Sequence, residues 1–149
     1  MVEWKIQAEC IKWFRNDFID GLLADGLIDL EQTKQLRMLY HGNQNELPLF
    51  TGVKMPAKIR GMLNAWCNKL RAMGLMAGVA DTSLKCPVIS EGKHYCFLEI
   101  EFKKAEKSSQ QSERQLMYEA AVNSVGGMYK VIRSVEEFKM FINGLIIVI

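Results

Sequence analysis

Residues 79–103, VADTSLKCPVISEGKHYCFLEIEFK, contain the pattern that decides the fold. Within them, residues 94–103 alternate between two faces, with Cys96, Leu98, Ile100 and Phe102 on one face and Tyr95, Phe97, Glu99, Glu101 and Lys103 on the other. Such alternation is typical of a β-strand, whose successive side chains point to opposite sides. Residues 79–88 predict a neighbouring strand with Pro87 near its end, and Ser90-Glu-Gly92 predicts a hairpin turn between the two.

The segments on either side carry helical and strand periods in an order typical of an α/β protein. We predict helices over residues 2–18, 30–40, 58–73 and 112–125, a strand over 128–133, a last helix capped by Ser134, and a final strand over 145–149. The helix over 58–73 places its apolar side chains on one face: Ile59, Met62, Leu63, Trp66 and Leu70. Residues 41–45, HGNQN, are expected to form a turn. This order favours an α/β sandwich with a mixed β-sheet.

Length and composition indicate one ordinary globular domain. The chain has 149 residues, of which 49% are hydrophobic and 24% are charged, so disorder and a coiled coil are poor interpretations. Its longest purely apolar run, the five residues 145–149, is far shorter than the ~20 that span a bilayer. Charged residues interrupt the first ten positions, unlike a signal peptide. We therefore expect a cytoplasmic protein with no membrane partner.

Cysteine and histidine patterns argue against a zinc site. The four cysteines, Cys10, Cys67, Cys86 and Cys96, form no CxxC pair and have no histidine at ligand spacing. In a reducing compartment they are expected to be small buried hydrophobic residues. The two histidines, His41 and His94, are expected at the surface or in turns rather than in catalysis.

Charge is distributed unevenly along the chain, although the net charge is only +2. Residues 1–31 contain seven acids against three bases, whereas residues 47–80 contain no acid. The bases of that second segment are Lys54, Lys58, Arg60, Lys69 and Arg71. Two interpretations stay open: these side chains neutralise nucleic-acid phosphates, or they form an ordinary solvated helix face.

Three polar residues on the two predicted central strands suggest a metal site. Glu101 and Lys103 are two positions apart on a strand and so share a face. Asp81 begins the neighbouring strand, which we expect to bring its carboxylate beside Glu101. Two carboxylates suit Mg²⁺, which keeps several waters, and Lys103 would orient or deprotonate a water or hold a phosphate. The alternative is a surface ion pair between Glu101 and Lys103 on a solvated sheet.

Four motifs together resemble the VRR-Nuc family of the PD-(D/E)XK nuclease superfamily. They are GVAD at 78–81, LEIEFK at 98–103, SERQ at 112–115 and YKVIRSVEEF at 129–138. Upstream, KLRAMGLMAGVAD at 69–81 is similar to the helix leading into the family's catalytic aspartate, and EWKIQ at 3–7 is similar to its first-helix pattern. The resemblance covers about residues 1–15 and 56–142.

The resemblance implies a restriction-endonuclease-like α/β sandwich, a central mixed sheet flanked by helices, in one domain over 1–149 with a family-variable segment at 19–50. It implies Mg²⁺ or Mn²⁺ held by Asp81, Glu101 and the backbone carbonyl of Phe102, with Lys103 and Gln115 catalytic. Supporting positions are Glu3 and Gln7 from the first helix. Apart from the resemblance, the five bases named above are candidates for phosphate contacts, and Lys104, Lys107 and Arg114 either contact phosphates or face solvent. The implied activity is endonucleolytic cleavage of branched or flapped DNA, including Holliday junctions, by a homodimer similar to phage and prophage proteins.

Several positions keep alternatives open. Ala80 replaces the proline of the family's PD motif and Thr82 replaces an apolar residue, but neither removes a ligand. Glu99 is an extra acid that either adds a metal ligand or pairs with a lysine on a partly open sheet. Gln115 also completes a capping box with Ser112. Gln7 is alternatively a polar residue at a helix edge, and residues 145–149 form either an interface or sheet core. The second function hypothesis is a nuclease-fold module that binds nucleic acid or a protein partner without cutting.

Overall fold

The computed structural model describes residues 2–43, 54, 56–72, 79–106 and 109–149. Its helices are α1 (Glu3–Trp13), α2 (Ile19–Ala24), α3 (Leu30–Leu39), α4 (Ala57–Ala72), α5 (Glu113–Ser124) and α6 (Val135–Asn143), with a π-helical stretch at Phe14–Phe18 joining α1 to α2. Its strands are β1 (Tyr40–Gly42), β2 (Thr82–Leu84), β3 (Val88–Ser90), β4 (Lys93–Tyr95), β5 (Leu98–Phe102), β6 (Met128–Ile132) and β7 (Ile146–Ile147). The predicted helices are all present, with ends shifted by a few residues.

The strands form two sheets. In the larger sheet the order is β1-β2-β5-β6, with antiparallel pairs up to β5 and a parallel pair between β5 and β6. The smaller sheet, β4-β3-β7, is antiparallel throughout. The predicted α/β architecture with a mixed sheet is therefore confirmed.

Strand β5 is buried on both faces. Leu98, Ile100 and Phe102 point into the hydrophobic core, where the ring of Phe102 lies 6.1 Å from that of Phe138 in α6. Helix α1 covers the same face with Ile6 and Cys10, and the π-helical stretch continues this side with Phe14, four residues further on. The apolar half of the alternation predicted for this strand thus holds the helical layer to the sheet.

Both long predicted strands are broken where the chain passes between the two sheets. The strand expected over 79–88 stops at Lys85, and the amide N–H of Lys85 donates to Leu39 while Pro87, which has no N–H, separates β2 from β3. The strand expected over 94–103 breaks at Cys96, whose N–H donates to Gly126. Cys96 is consequently exposed, contrary to the core-facing position and to the burial predicted for it.

The hairpin turn is confirmed, but it joins β3 to β4 in the smaller sheet. Glu91 and Gly92 both adopt left-handed backbone, with φ of 49° and 77°. Two consecutive positive φ angles match the twist of a tight hairpin.

The turn expected at 41–45 is wrong for its first residues. His41 and Gly42 belong to β1, which pairs antiparallel with β2. Pairing with a strand about forty residues away overrides the local turn preference of Gly and Asn. Residues 44–45 lie outside the described part of the chain.

Two predicted apolar surfaces remain partly exposed. In α4, Ile59, Met62 and Trp66 share a face but keep about half or more of their surface accessible. The side chains of Leu70, Arg71 and Cys67 lie outside the described residues. In the tail, β7 pairs with β3 and Ile147 packs on the core, whereas Ile146 is 61% exposed. The tail thus combines sheet packing with an accessible apolar edge.

Two further expectations concern the membrane and the cysteines. Among the described residues, no helix is both long enough and apolar enough to cross a membrane. Cys10 and Cys86 are buried and free, as expected.

Gly127, between α5 and β6, offers a test of this close packing. A Cβ atom at Gly127 would lie 2.5 Å from Cζ of Phe97 and 2.8 Å from Cγ1 of Val122. We expect Gly127→Ala to lower the free energy of unfolding by about 1–3 kcal/mol in denaturant titrations. Gly21→Ala is the matched control, because Gly21 lies in α2 with no atom within 4 Å of such a Cβ. That variant should gain about 0.5–1 kcal/mol, and equal effects at both positions would contradict the packing.

Candidate functional site

One face of the larger sheet is polar. On β5 it presents Glu99 and Glu101, and the register places Ser83 of β2 opposite Glu99. Continuing that register by two residues places Asp81 opposite Glu101. Helix α5 lies against this face and contributes Gln115. The two predicted carboxylates therefore meet on one side of the sheet.

Asp81 is fixed against the end of β5. Its Oδ2 accepts a hydrogen bond of 2.7 Å from the backbone N–H of Phe102. Strands β2 and β5 are neighbours as expected, but the connection between them contains the whole β3–β4 hairpin rather than a single turn. The N–H and C=O of an extended residue point to the same strand edge, so the Phe102 carbonyl also faces Asp81.

Glu101 is buried among polar partners. Its Oε1 accepts from the Nε2 of Gln115 and lies 3.1 Å from the Nζ of Lys103. Its Oε2 is buried and has no hydrogen-bond partner among the described residues. The side chains of Lys103 and Glu101 are only 12% and 3% exposed. The ion pair named as the alternative is therefore present, but it is buried and does not lie on a solvated sheet face.

Gln115 completes the predicted capping box and also contacts two of the candidate site residues, whereas its catalytic role stays a prediction. It completes the capping box of α5 with Ser112, because its Oε1 accepts from the Ser112 N–H at 2.8 Å. The same oxygen accepts from the Nζ of Lys103 at 3.0 Å. One buried glutamine thus caps its helix and bridges Glu101 to Lys103.

The electrostatics of the site favour an added cation. Burial first, and then the charge of Asp81, raise the pKa of Glu101 from 4.5 to about 7, against the lowering effect of Lys103. A buried carboxylate facing a second acid and carrying an unpaired oxygen gains from a nearby positive charge. Among the described residues no cluster of three or more Asp, Glu, His or Cys forms. Two carboxylates and a carbonyl fit Mg²⁺ or Mn²⁺, since Mg²⁺ typically takes one or two carboxylates and keeps its waters.

The first helix approaches this site as the resemblance implies. Glu3 Oε1 accepts from the backbone N–H of Lys104 at 3.3 Å and from the hydroxyl of Ser109 at 3.4 Å. Gln7 Nε2 donates to the Asp81 carbonyl at 3.5 Å, a long bond. Gln7 therefore contacts Asp81, and Glu3 contacts the backbone of the residue after Lys103.

Glu99 does pair with a lysine, although not on an open sheet. Its Oε1 accepts from Lys85 at 2.9 Å and its Oε2 accepts from Ser83 at 2.6 Å, and the residue is 1% exposed. The pattern at 98–103 locates this acid, but neither Lys85 nor Asn43 was identified as part of the site. No pattern in the neighbouring sequence identifies Lys85 or Asn43, because their contacts with Glu99 join separate elements of the fold.

The predicted phosphate contacts are only partly within the described chain. Lys54, Lys58, Arg60, Lys69 and Lys104 are exposed. Lys107 and the side chain of Arg71 lie outside the described residues. Exposure is compatible with both interpretations of these bases, and DNA contact stays a prediction.

The raised pKa of Glu101 predicts how stability depends on pH without metal. The folded state binds the proton more tightly than the unfolded chain, so stability falls as pH rises from about 4.5 to about 7. Glu101→Gln removes this titration. We expect its stability relative to the parent to increase across that window, as measured by urea unfolding at several pH values in EDTA.

The control for this comparison is Gln35→Ala, at an exposed position of α3 that carries no titratable group. It should change stability by a similar amount at pH 4 and pH 8. A constant difference between parent and Glu101→Gln across the same window would contradict the raised pKa.

Comparisons with known proteins give the fold. No protein-family model matches the sequence, and no curated protein matches it. A solved structure described as a VRR_NUC domain protein superposes with a TM-score of 0.59, over 96% of this chain and 86% of that chain, at 17% sequence identity. An identity this low supports the architecture alone. The chain therefore shares the fold of that VRR_NUC domain protein.

Proposed function

We propose that this protein is an Mg²⁺- or Mn²⁺-dependent endonuclease that hydrolyses phosphodiester bonds in DNA. The observation that carries the proposal is the convergence of Asp81, Glu101 and Lys103 on one face of the sheet, with Glu101 Oε2 buried and unpaired within the described chain. A binding surface needs neither opposed buried acids nor a lysine held beside them, whereas phosphodiester hydrolysis uses both.

The chain's own residues divide the work as follows. Asp81, Glu101 and the Phe102 carbonyl would hold the cation, which when bound lowers the pKa of a water and stabilises charge on the phosphate. Lys103 is kept in place by Glu101 and Gln115. Within the described residues these bonds use two of its three N–H donors, and we assign the third to the scissile phosphate or to the attacking water.

The substrate we propose is branched or flapped DNA, including four-way junctions, recognised by shape. The sequence contains no helix-turn-helix, zinc finger or long basic region that would read bases. The exposed bases of α4 and its approach, Lys54, Lys58, Arg60 and Lys69, are candidates for backbone contacts. A homodimer with two-fold symmetry would place two sites on two strands. We assign the enzyme to the cytoplasm, where its free cysteines stay reduced.

Cleavage assays test the activity. Labelled four-way junction, flap and linear duplex are incubated with Mn²⁺, Mg²⁺ or EDTA. We expect metal-dependent cleavage of the branched substrates and a loss of about 10²- to 10³-fold in rate for Lys103→Ala, because an electrostatic contact to the reacting phosphate is removed.

Lys93→Ala is the control for that assay, since Lys93 is exposed in the smaller sheet. It should cleave like the parent. Equal rates for Lys103→Ala and the parent would refute the assigned role. A parent that binds junctions without cutting them in either metal would refute the enzyme and favour the binding module.

Metal binding is tested separately by thermal unfolding. A ligand at about 100 times its dissociation constant stabilises the folded state by ~2.7 kcal/mol, so millimolar Mn²⁺ should raise the Tm of the parent. Asp81→Ala should abolish the shift because it removes a ligand. Asp25→Ala, at an exposed position after α2, should keep it. A shift of the same size in Asp81→Ala would place the cation elsewhere.

A further inference from the structure

Glu99 is a second buried carboxylate on the polar face of β5, two residues before Glu101. Burying a charged group is costly unless it is paired and hydrogen-bonded. Here the partners are complete: Oε1 accepts from Lys85 at 2.9 Å, and Oε2 accepts from Ser83 at 2.6 Å and from Asn43 at 3.4 Å. With both oxygens already engaged, Glu99 is a poor metal ligand, which distinguishes it from Glu101.

The partners of Glu99 bind the segment that carries Asp81. The Nδ2 of Asn43 lies 2.7 Å from the hydroxyl of Ser83 and 2.9 Å from the carbonyl of Ala80. The backbone N–H of Asn43 donates to the carbonyl of Asp81 at 2.7 Å. Asn43 and Glu99 are thus hydrogen-bonded to Ala80 and Ser83, on either side of Asp81, and to the Asp81 carbonyl.

Glu99 also lies close to the helix that covers the site. Burial raises the pKa of Tyr118 in α5, and the charge of Glu99 raises it further. Tyr118 lies three residues after Gln115, so both point from one side of the helix towards the sheet. Glu99 is therefore hydrogen-bonded to the segment that carries Asp81 and lies near the helix that carries Gln115.

We propose that Glu99, acting with Asn43, is a positioning residue that holds Asp81 against Glu101 and Lys103. The inference rests on the proposed function. The main-chain bonds of Asn43 set where residues 80 and 81 lie, and Glu99 fixes the Asn43 amide and the Ser83 hydroxyl. The Asp81 carboxylate is thereby delivered to the Phe102 N–H and to the cation site.

The test uses Glu99→Ala, Asn43→Ala and the double variant, with three measurements. We expect either the Mn²⁺ affinity, measured by calorimetry without DNA, or kcat to fall by about 10- to 100-fold in each single variant. Losses of this size are typical when a residue that supports a metal ligand is removed. KM for DNA should stay near the parent value. The double variant should lose little more than either single one, because the two residues act as one unit.

The third measurement is independent of metal and of cleavage. The Phe102 amide proton, which donates to Asp81, should change its NMR chemical shift in Glu99→Ala and Asn43→Ala. Glu99→Gln should recover most of the parent's behaviour, because its amide oxygen still accepts from Ser83 and Asn43. Glu31→Ala is the matched control at an exposed glutamate of α3 and should change none of the readouts.

The outcomes separate the two proposals. A parent that binds Mn²⁺ but cuts no DNA refutes the nuclease and leaves the positioning role to be judged by affinity and the Phe102 signal. Parent-like affinity, kcat and Phe102 shift in Glu99→Ala would overturn the positioning role alone. If Glu99→Ala does not fold, Asn43→Ala and Ser83→Ala give the same readouts, and parent-like values in both would overturn it equally.

Discussion

The burial of β5 on both faces is the constraint from which the rest of the structure follows. Its apolar side chains, Leu98, Ile100 and Phe102, attach the sheet to α1 and α6. Its acidic side chains, Glu99 and Glu101, occupy the other face and are almost fully buried. Every element near that face must therefore supply hydrogen-bond donors or positive charge. Strand β2 does so with Ser83 and Lys85, and helix α5 does so with Gln115.

Glu99 and Glu101 are both buried carboxylates, but their hydrogen-bond partners differ. Both carboxylate oxygens of Glu99 accept hydrogen bonds, so neither oxygen is left unpaired. Glu101 faces Asp81, keeps one oxygen unpaired within the described chain, and has a pKa raised to about 7. Perturbed acids of this kind are characteristic of functional sites, because folding alone would select the satisfied arrangement. The contrast between neighbours on one strand is stronger support for a cation site at Glu101 than either acid considered by itself.

Local patterns predicted much of this architecture. Alternation located β5 and its two faces, and the capping box at Ser112 and Gln115 located the start of α5. The strand breaks were not predictable, because Lys85 and Cys96 donate to the distant carbonyls of Leu39 and Gly126. The turn predicted at 41–45 includes Asn43 for the same reason, since its partners lie 37 and 56 residues away in the sequence. Propensity describes neighbours in sequence, whereas these contacts depend on the assembled sheet.

Gln115 belongs both to the candidate site and to the cap of α5, so it links the site to the stability of that helix. A single carboxamide oxygen accepts from the first backbone amide of the cap and from the Lys103 ammonium. An anion that attracts the Lys103 ammonium also alters the hydrogen bond between Ser112 and Gln115, which closes the first turn of α5. Anion binding at the sheet surface and fraying at the start of α5 are consequently thermodynamically coupled. The free energy of local opening at residues 112–115 therefore differs between the occupied and the empty site.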